Sequence, residues 1–198
     1  MQMLHDILTA ILNADGNILL WIQDNLRFSW LNPVMIRITG LGNHGIIWII
    51  IGVVLLFPRK TRRAGILSLL ALLCAHLLCN EVLKDYVARI RPYEVVDGLR
   101  CIIAKENSWS FPSGHAMTAF AAAVVIFKSR PRRLGVPVLA LAFVISFSRL
   151  YVGVHYSTDV IFGAVMGTLI GLAFFWILGD RKYKERARRK ARRRRARR

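Results

Sequence analysis

The stretch AGILSLLALLCAHLLCNEVL, from Ala64 to Leu83, decides the fold class. It is near the ~17–25 residues that a helix needs to cross a bilayer. Beyond Ser68, its polar members His76, Asn80 and Glu81 gather toward the end that meets Lys84. Four further apolar stretches flank it, namely Gly42 to Phe57, Ser113 to Phe127, Leu134 to Tyr151 and Val160 to Leu178. Gly42 to Phe57 and Ser113 to Phe127 reach spanning length only with flanking polar residues included.

Composition supports the same reading. The chain has 198 residues, 55% of them hydrophobic, yet carries 29 Lys and Arg and a formal net charge of +18. A mean hydropathy of +0.43 is too high for an ordinary water-soluble domain, so the charge must be segregated from the apolar stretches. The expectation is all-α: a polytopic membrane helical bundle of about five to six transmembrane helices, preceded by N-terminal interfacial amphipathic helices. Residues 1–180 read as one membrane-integrated domain, since no linker divides them, and residues 181–198 as an Arg-rich tail. The extreme N-terminus shows neither the basic segment nor the small-residue cleavage site of a secretory signal, so none is expected.

Lys and Arg accumulate in short cytoplasmic loops, which sets the expected orientation. Arg59, Lys60, Arg62 and Arg63 follow the stretch Gly42 to Phe57, and Lys128, Arg130, Arg132 and Arg133 separate Ser113 to Phe127 from Leu134 to Tyr151. The tail from Arg181 to Arg198 adds thirteen basic residues against one acid, and parity places it on the same side. A multi-pass protein of the plasma membrane is expected, with its C-terminus cytoplasmic and the segment from Asp85 to Pro112 and the turn from Val152 to Thr158 on the outer side. The tail is expected to partner anionic headgroups of the bilayer, at about 1 kcal/mol per basic residue near the surface. Without stacking aromatics or a recognisable fold it gives no specific nucleic-acid readout.

The N-terminal residues are more polar. Met1 to Phe28 contains Asp6, Asn13, Asp15, Asn17, Gln23 and Asp24, a costly load for a lipid-embedded helix, and an interfacial helix is the expectation. A sixth span over the first ~25 residues is the rival reading, and it would leave the outer segments where they are. Leu31, Val34, Met35, Ile38 and Leu41 follow at helical spacing, facing away from Asn32 and Arg37.

The outer segments carry the chemistry. Lys84 and Arg91 are seven apart, so a helix continuing past the second stretch would place both cations on one face. Arg149 offers a planar fork able to hold two oxygens at once. Together they suit a phosphoryl group whose negative charge spreads over equatorial oxygens in the transition state. Arg89 reads as an ordinary membrane-edge cation. Pro112-Ser113-Gly114-His115 opens the third stretch as a helix start, with Ser113 near the N-cap, free N–H groups to attract phosphate, and Gly114 allowing close approach. His155 and Asp159 are four apart, so the carboxylate can hold one ring nitrogen while the other attacks phosphorus. A chain reversal is needed to bring Arg149 and His155 together.

Other residues read more plainly. Cys74 and Cys79 lie five apart in one stretch, leaving Cys101 alone, so no disulfide framework is implied. Glu81 is read as support for a site cation, His44 as a turn residue, and Trp109 and Phe111 as interfacial anchors.

Lys84 followed after six residues by Arg91-Pro92, the PSGH at Pro112 to His115, and Ser148-Arg149, five residues, His155, three residues, Asp159 match in order and spacing the signature of the type 2 phosphatidic acid phosphatase superfamily. The chain resembles its small bacterial membrane members. The resemblance implies a lipid phosphate substrate, with Lys84, Arg91, Ser113, Gly114 and Arg149 binding the phosphate. It further implies that His115 protonates the leaving oxygen, His155 forms a phosphohistidine and Asp159 orients it. It calls for no cofactor and no metal. Undecaprenyl pyrophosphate is the favoured lipid, phosphatidylglycerophosphate or phosphatidic acid the alternatives, and lipid phosphotransfer or transport the other function classes.

Overall fold

The computed structural model describes residues 2–178, and among them the regular structure is helical. The expectation for the Arg-rich tail lies outside the described residues. The described residues form nine α-helices, α1 Gln2–Leu26, α2 Asn32–Leu41, α3 Ile46–Leu56, α4 Arg62–Leu77, α5 Lys84–Val87, α6 Pro92–Val95, α7 Gly114–Ser129, α8 Arg132–Tyr151 and α9 Ser157–Ala173. A π-helical segment, Leu78–Leu83, joins α4 to α5, and a second, Phe174–Leu178, extends α9.

Among the described residues, three stretches are long and apolar enough to cross a membrane: Arg62–Val95, Arg132–Tyr151 and Ser157–Ile177. The pair α2 and α3 meets the same test jointly, bent by 50°. The bend lies at the turn Asn43–Gly45, where His44 and Gly45 have φ of 50° and 70°. Glycine takes such values without steric cost, whereas His44 is held there at some strain.

α7 is the shorter apolar helix and the centre of the bundle, packed against α4, α8 and α9. Its residues Ala116 to Ile126 are all buried. A helix shielded on every side by protein has no lipid-facing stripe, which explains why its sequence is apolar all round. Its alanines let neighbours come close, and α9 comes closest. A Cβ placed at Gly163, Gly167 or Gly171 would stand 2.7, 2.2 or 2.7 Å from the carbonyl oxygens of Ser113, Met117 and Ala121. Glycines spaced by four line one face of α9, so its backbone packs directly on that of α7.

α1 is not among the stretches apolar enough to span. It buries Asp15, Gly16, Leu19 and Ile22 along one stripe and exposes Ile11, Leu12, Ile18 and Trp21. Arg27, just past its end, donates to the carbonyls of Tyr151 and Arg100, tying α1 to the turn between α8 and α9. In α2, Asn32 turns inward to accept the Tyr151 hydroxyl at 2.8 Å, while Val34 and Leu41 are exposed. The apolar stripe expected for this segment is therefore split between bundle and surroundings.

One end of the bundle gathers the C-terminal ends of α5 and α8, the N-terminal ends of α7 and α9, and the Asn43–Gly45 turn. The connections α3–α4 and α7–α8 meet at the other end, where Arg130 donates to the Lys60 carbonyl at 2.9 Å.

Candidate active site

The α8–α9 turn builds the centre of the site. Gly153, at φ 81°, lets the chain reverse, and the Val154 N–H closes the turn on the Arg149 carbonyl at 3.2 Å. A Cβ at Gly153 would lie 2.7 Å from Arg27 Nη2 and 3.0 Å from the Arg100 carbonyl oxygen, so glycine is required for space as well as for φ. The reversal brings Arg149, at the end of α8, beside His155, and both are almost wholly buried.

His155 Nδ1 lies 3.5 Å from Asp159 Oδ2, one turn into α9. This is longer than a formed hydrogen bond, and Nδ1 has no hydrogen-bond partner. Catalytic contacts of this kind commonly shorten in the reacting complex. Asp159 itself is fully held: Oδ2 accepts the Ser110 hydroxyl and, at 3.0 Å, the Tyr156 N–H, while Oδ1 accepts Arg89 Nη1 at 2.6 Å. Burial pushes the His155 imidazole pKa down to about 4, against the pull of Asp159 and with the help of Arg149 and Arg91. The shift favours the neutral ring, which has a lone pair available.

Ser113 is the N-cap of α7, with extended backbone. Its hydroxyl makes no capping bond and is buried without a partner. A plain helix cap would have used that hydroxyl, so the free donor marks a place for an anion. Arg149 Nε is a second buried donor without a partner. Two unpaired buried donors from adjoining elements are costly in a folded protein and fit a place for an anion.

The cations reach this centre differently from the sequence expectation. Lys84 and Arg91 do not share a helical face, because the helix stops at Ala88, at φ 48°, and Arg91 is extended at φ −74°, ψ 149°. Pro92 is the physical reason, since its ring disfavours helical backbone in the residue before it. Ser108 joins the two cations, its hydroxyl taking Lys84 Nζ and Arg91 Nη2, each at 3.1 Å. Arg91 also donates to the carbonyls of Ser108 at 2.7 Å and Val154 at 2.8 Å, which locks it to the turn that carries His155.

Glu106 escaped the sequence reading. Its carboxylate bridges Arg91 Nη2, at 2.7 Å, and Arg149 Nη2. Burial opposes its ionisation, but the Arg149 and Arg91 guanidiniums prevail and hold the carboxyl at about 2. It stands in an irregular loop outside every spacing pattern, so no local signal marked it. Asn43 is a second omission. Its side-chain oxygen lies 3.1 Å from His115 Nε2, and a Cβ at Gly42 would approach His115 Cδ2 to 2.4 Å. His115 is thus seated by the bend between α2 and α3.

Arg89 is not a free membrane-edge cation. Its guanidinium pairs with Asp159 and with Asp15 of α1 and lies 3.7 Å over the Tyr156 ring. Glu81 takes no comparable place: it is exposed, and no ion pair among the described residues includes it. Cys74, Cys79 and Cys101 are free thiols. Over the site lies a cavity of about 500 Å³, whose wall includes Lys84, Glu106, Gly114, His115 and His155, together with Asn43, His76 and Asn80. Arg91, Ser113, Arg149 and Asp159 are buried outside that wall.

Residues 65–183 match the family model of the PAP2 superfamily. The chain belongs to the PAP2 superfamily. It is similar to the undecaprenyl-diphosphatase of Sulfolobus acidocaldarius, 33% identical over 144 residues that cover 73% of this chain and 69% of the relative. It is 37% identical over 174 residues to phosphatidylglycerophosphatase B of Bacillus subtilis, with 80% of each chain covered. The crystal structure of a transmembrane PAP2 type phosphatidylglycerolphosphate phosphatase from Bacillus subtilis superposes with a TM-score of 0.71 at 32% identity, covering 87% of this chain and 88% of that one. This PAP2 protein is a membrane-integrated lipid phosphatase.

Proposed function

We propose that this PAP2 enzyme releases phosphate from undecaprenyl pyrophosphate at the outer face of the plasma membrane, through a phosphohistidine on His155. The observation that carries the reading is the packing of His155, Asp159, Arg149 and the free Ser113 hydroxyl into one buried cluster beside Lys84, Arg91 and His115.

The chemistry follows from the geometry. Asp159 faces Nδ1 of His155, which leaves Nε2 to attack phosphorus as Nδ1 keeps its proton. As the N–P bond forms, the bond from phosphorus to the leaving oxygen breaks and that oxygen takes a proton from His115. Lys84, Arg91, Arg149, the Ser113 hydroxyl and the N–H groups opening α7 balance the charge on the equatorial oxygens. Water then attacks the phosphohistidine, giving its proton to His115, and the N–P bond breaks to release phosphate. Asp159 offsets the positive charge that His155 carries between the two steps.

Similarity to an undecaprenyl-diphosphatase supports the lipid. The site occupies the end of the bundle opposite the α3–α4 and α7–α8 connections, whose cations favour the cytoplasm, and this supports the outer face. A second reading, phosphatidylglycerophosphate, is favoured by the 37% identity to phosphatidylglycerophosphatase B over 80% of both chains.

The deciding experiment measures phosphate release in liposomes from undecaprenyl pyrophosphate, phosphatidylglycerophosphate, phosphatidic acid and a soluble phosphate ester. The expected result is the highest kcat/KM on undecaprenyl pyrophosphate. A higher value on phosphatidylglycerophosphate selects the second reading, and a phosphorylated acceptor in place of free phosphate selects a transferase. His155→Ala should lose at least about 10³-fold in turnover while still inserting; unchanged release by that variant would remove the nucleophile assignment.

A further inference from the structure

Asp15 and Arg89 lie outside the phosphate-binding set, yet both are built into the support of the nucleophile. Asp15 is 1% exposed, an unusual place for a carboxylate on a helix whose other side carries Ile11, Leu12 and Trp21. A buried charge must be paired or it is expelled or neutralised. Asp15 is paired thoroughly: it accepts Arg89 Nη2 at 2.9 Å, the Thr158 N–H at 3.0 Å, and the hydroxyls of Ser157 and Thr158 at the start of α9. Arg89 in turn gives Nη1 to Asp159 Oδ1 at 2.6 Å and to Thr158 Oγ1 at 2.7 Å, with Tyr156 stacked on its face.

The guanidinium is therefore fixed at two nitrogens and one face, and the group it delivers to is the carboxylate facing His155. Without Arg89, Asp159 would be a fully buried acid with no cation on Oδ1, free to rotate or to take a proton. A protonated Asp159 cannot accept the His155 Nδ1–H. Without Asp15, the Arg89 fork loses the partner that aims it.

Resting on the phosphohistidine reading above, we infer that Arg89, held by Asp15 of α1, is a positioning residue that acts on the nucleophile His155 through Asp159. Neither residue touches substrate. Their effect belongs in the chemical step, and it exists only while Asp159 is a carboxylate. A tie that merely fastens α1 to the bundle would have no such dependence.

The test is a mutant cycle on the purified full-length protein, using the lipid phosphate that the wild type turns over fastest. Arg89→Ala should lower kcat about 100-fold with KM changed less than about twofold, because the phosphate clamp is intact. Asp15→Asn should lower kcat about tenfold. In an Asp159→Asn background, Arg89→Ala should cost less than about twofold further, since residues acting as a unit are not additive. Added guanidinium ion should restore part of the activity of Arg89→Ala and none of that of Asp159→Asn. If Arg89→Ala does not fold, Arg89→Lys carries the cycle, keeping the charge and losing the fork. Losses that multiply in the double variant, or that fall in KM with kcat intact, overturn the inference. Acid-quenched labelling with radioactive phosphate judges the underlying reading separately: unlabelled His155 in the wild type overturns covalent catalysis, whereas multiplicative losses in a labelled enzyme overturn only the role of Arg89.

Discussion

The Glu106 carboxylate lies between the guanidiniums of Arg91 and Arg149 and accepts Nη2 of each. A carboxylate and a phosphate need the same N–H groups, so an entering phosphate has to compete with Glu106 for them.

Replacing Glu106 with Gln removes the charged competitor and keeps the shape. Vanadate and inorganic phosphate should then inhibit at roughly tenfold lower concentration, equivalent to about 1.4 kcal/mol. Inhibition constants unchanged from the wild type would show that Glu106 supports the arginines without opposing the anion.

His155 sets a pH prediction. Its folded pKa of about 4, against 6.5 for the free side chain, keeps the imidazole unprotonated until well below neutrality. The acid limb of kcat/KM that His155 controls should therefore fall near pH 4, not near 6.5. The sign for stability follows from the same shift: between these values the unfolded chain binds the extra proton, so acidification through this window lowers stability. Glu106, with a folded pKa of about 2 against 4.5, adds stability above 4.5 that is lost as the pH falls toward 2. Thermal unfolding in detergent should first weaken below about pH 6.5, from the histidine, and a flat profile down to pH 4 would contradict the burial of His155.

Gly42 tests the seating of the second histidine. A Cβ there would stand 2.4 Å from His115 Cδ2 and 2.8 Å from Ile145 Cγ2. Gly42→Ala should displace the ring by a fraction of an ångström or more and reduce kcat by about 10–100-fold with the fold retained. Full activity would mean that His115 tolerates movement and does not transfer the proton from this position.

Gly167 tests the packing of the bundle. Its virtual Cβ lies 2.2 Å from the Met117 carbonyl oxygen, and backbone cannot give way as a side chain can. Gly167→Ala should destabilise by about 1–3 kcal/mol in thermal or denaturant unfolding. Gly40→Ala is the comparison, since nothing lies within 4 Å of its virtual Cβ, and it should be neutral or stabilise by about 0.4–1 kcal/mol. Equal behaviour of the two variants would refute close α7–α9 packing.

Much of the site was legible locally. The PSGH turn, the one-turn spacing of His155 and Asp159 and the cations at Lys84, Arg91 and Arg149 are short-range patterns, and short-range patterns survive in a linear reading. The relation of Lys84 to Arg91 is not local: seven-residue spacing suggests one helical face, whereas Pro92 imposes an extended residue and Ala88 ends the helix before it. Arg89 was passed over because an arginine at a membrane edge is usually solvated, and nothing near it in sequence reveals that Asp159 lies 70 residues away and Asp15 lies 74.

The sequence by itself determined an all-helical membrane protein with a phosphate-handling centre, because hydrophobic length, helical period and the placement of charge are properties of neighbouring residues. The fold settles the long-range relations: that α7 is the enclosed helix, that α1 delivers the buried Asp15 carboxylate to Arg89 behind Asp159, and that Glu106 sits between Arg91 and Arg149. Those relations depend on how closely helices approach one another. The approach is set by glycine faces, buried ion pairs and the reversal at Gly153, whose effects appear only when distant parts of the chain meet.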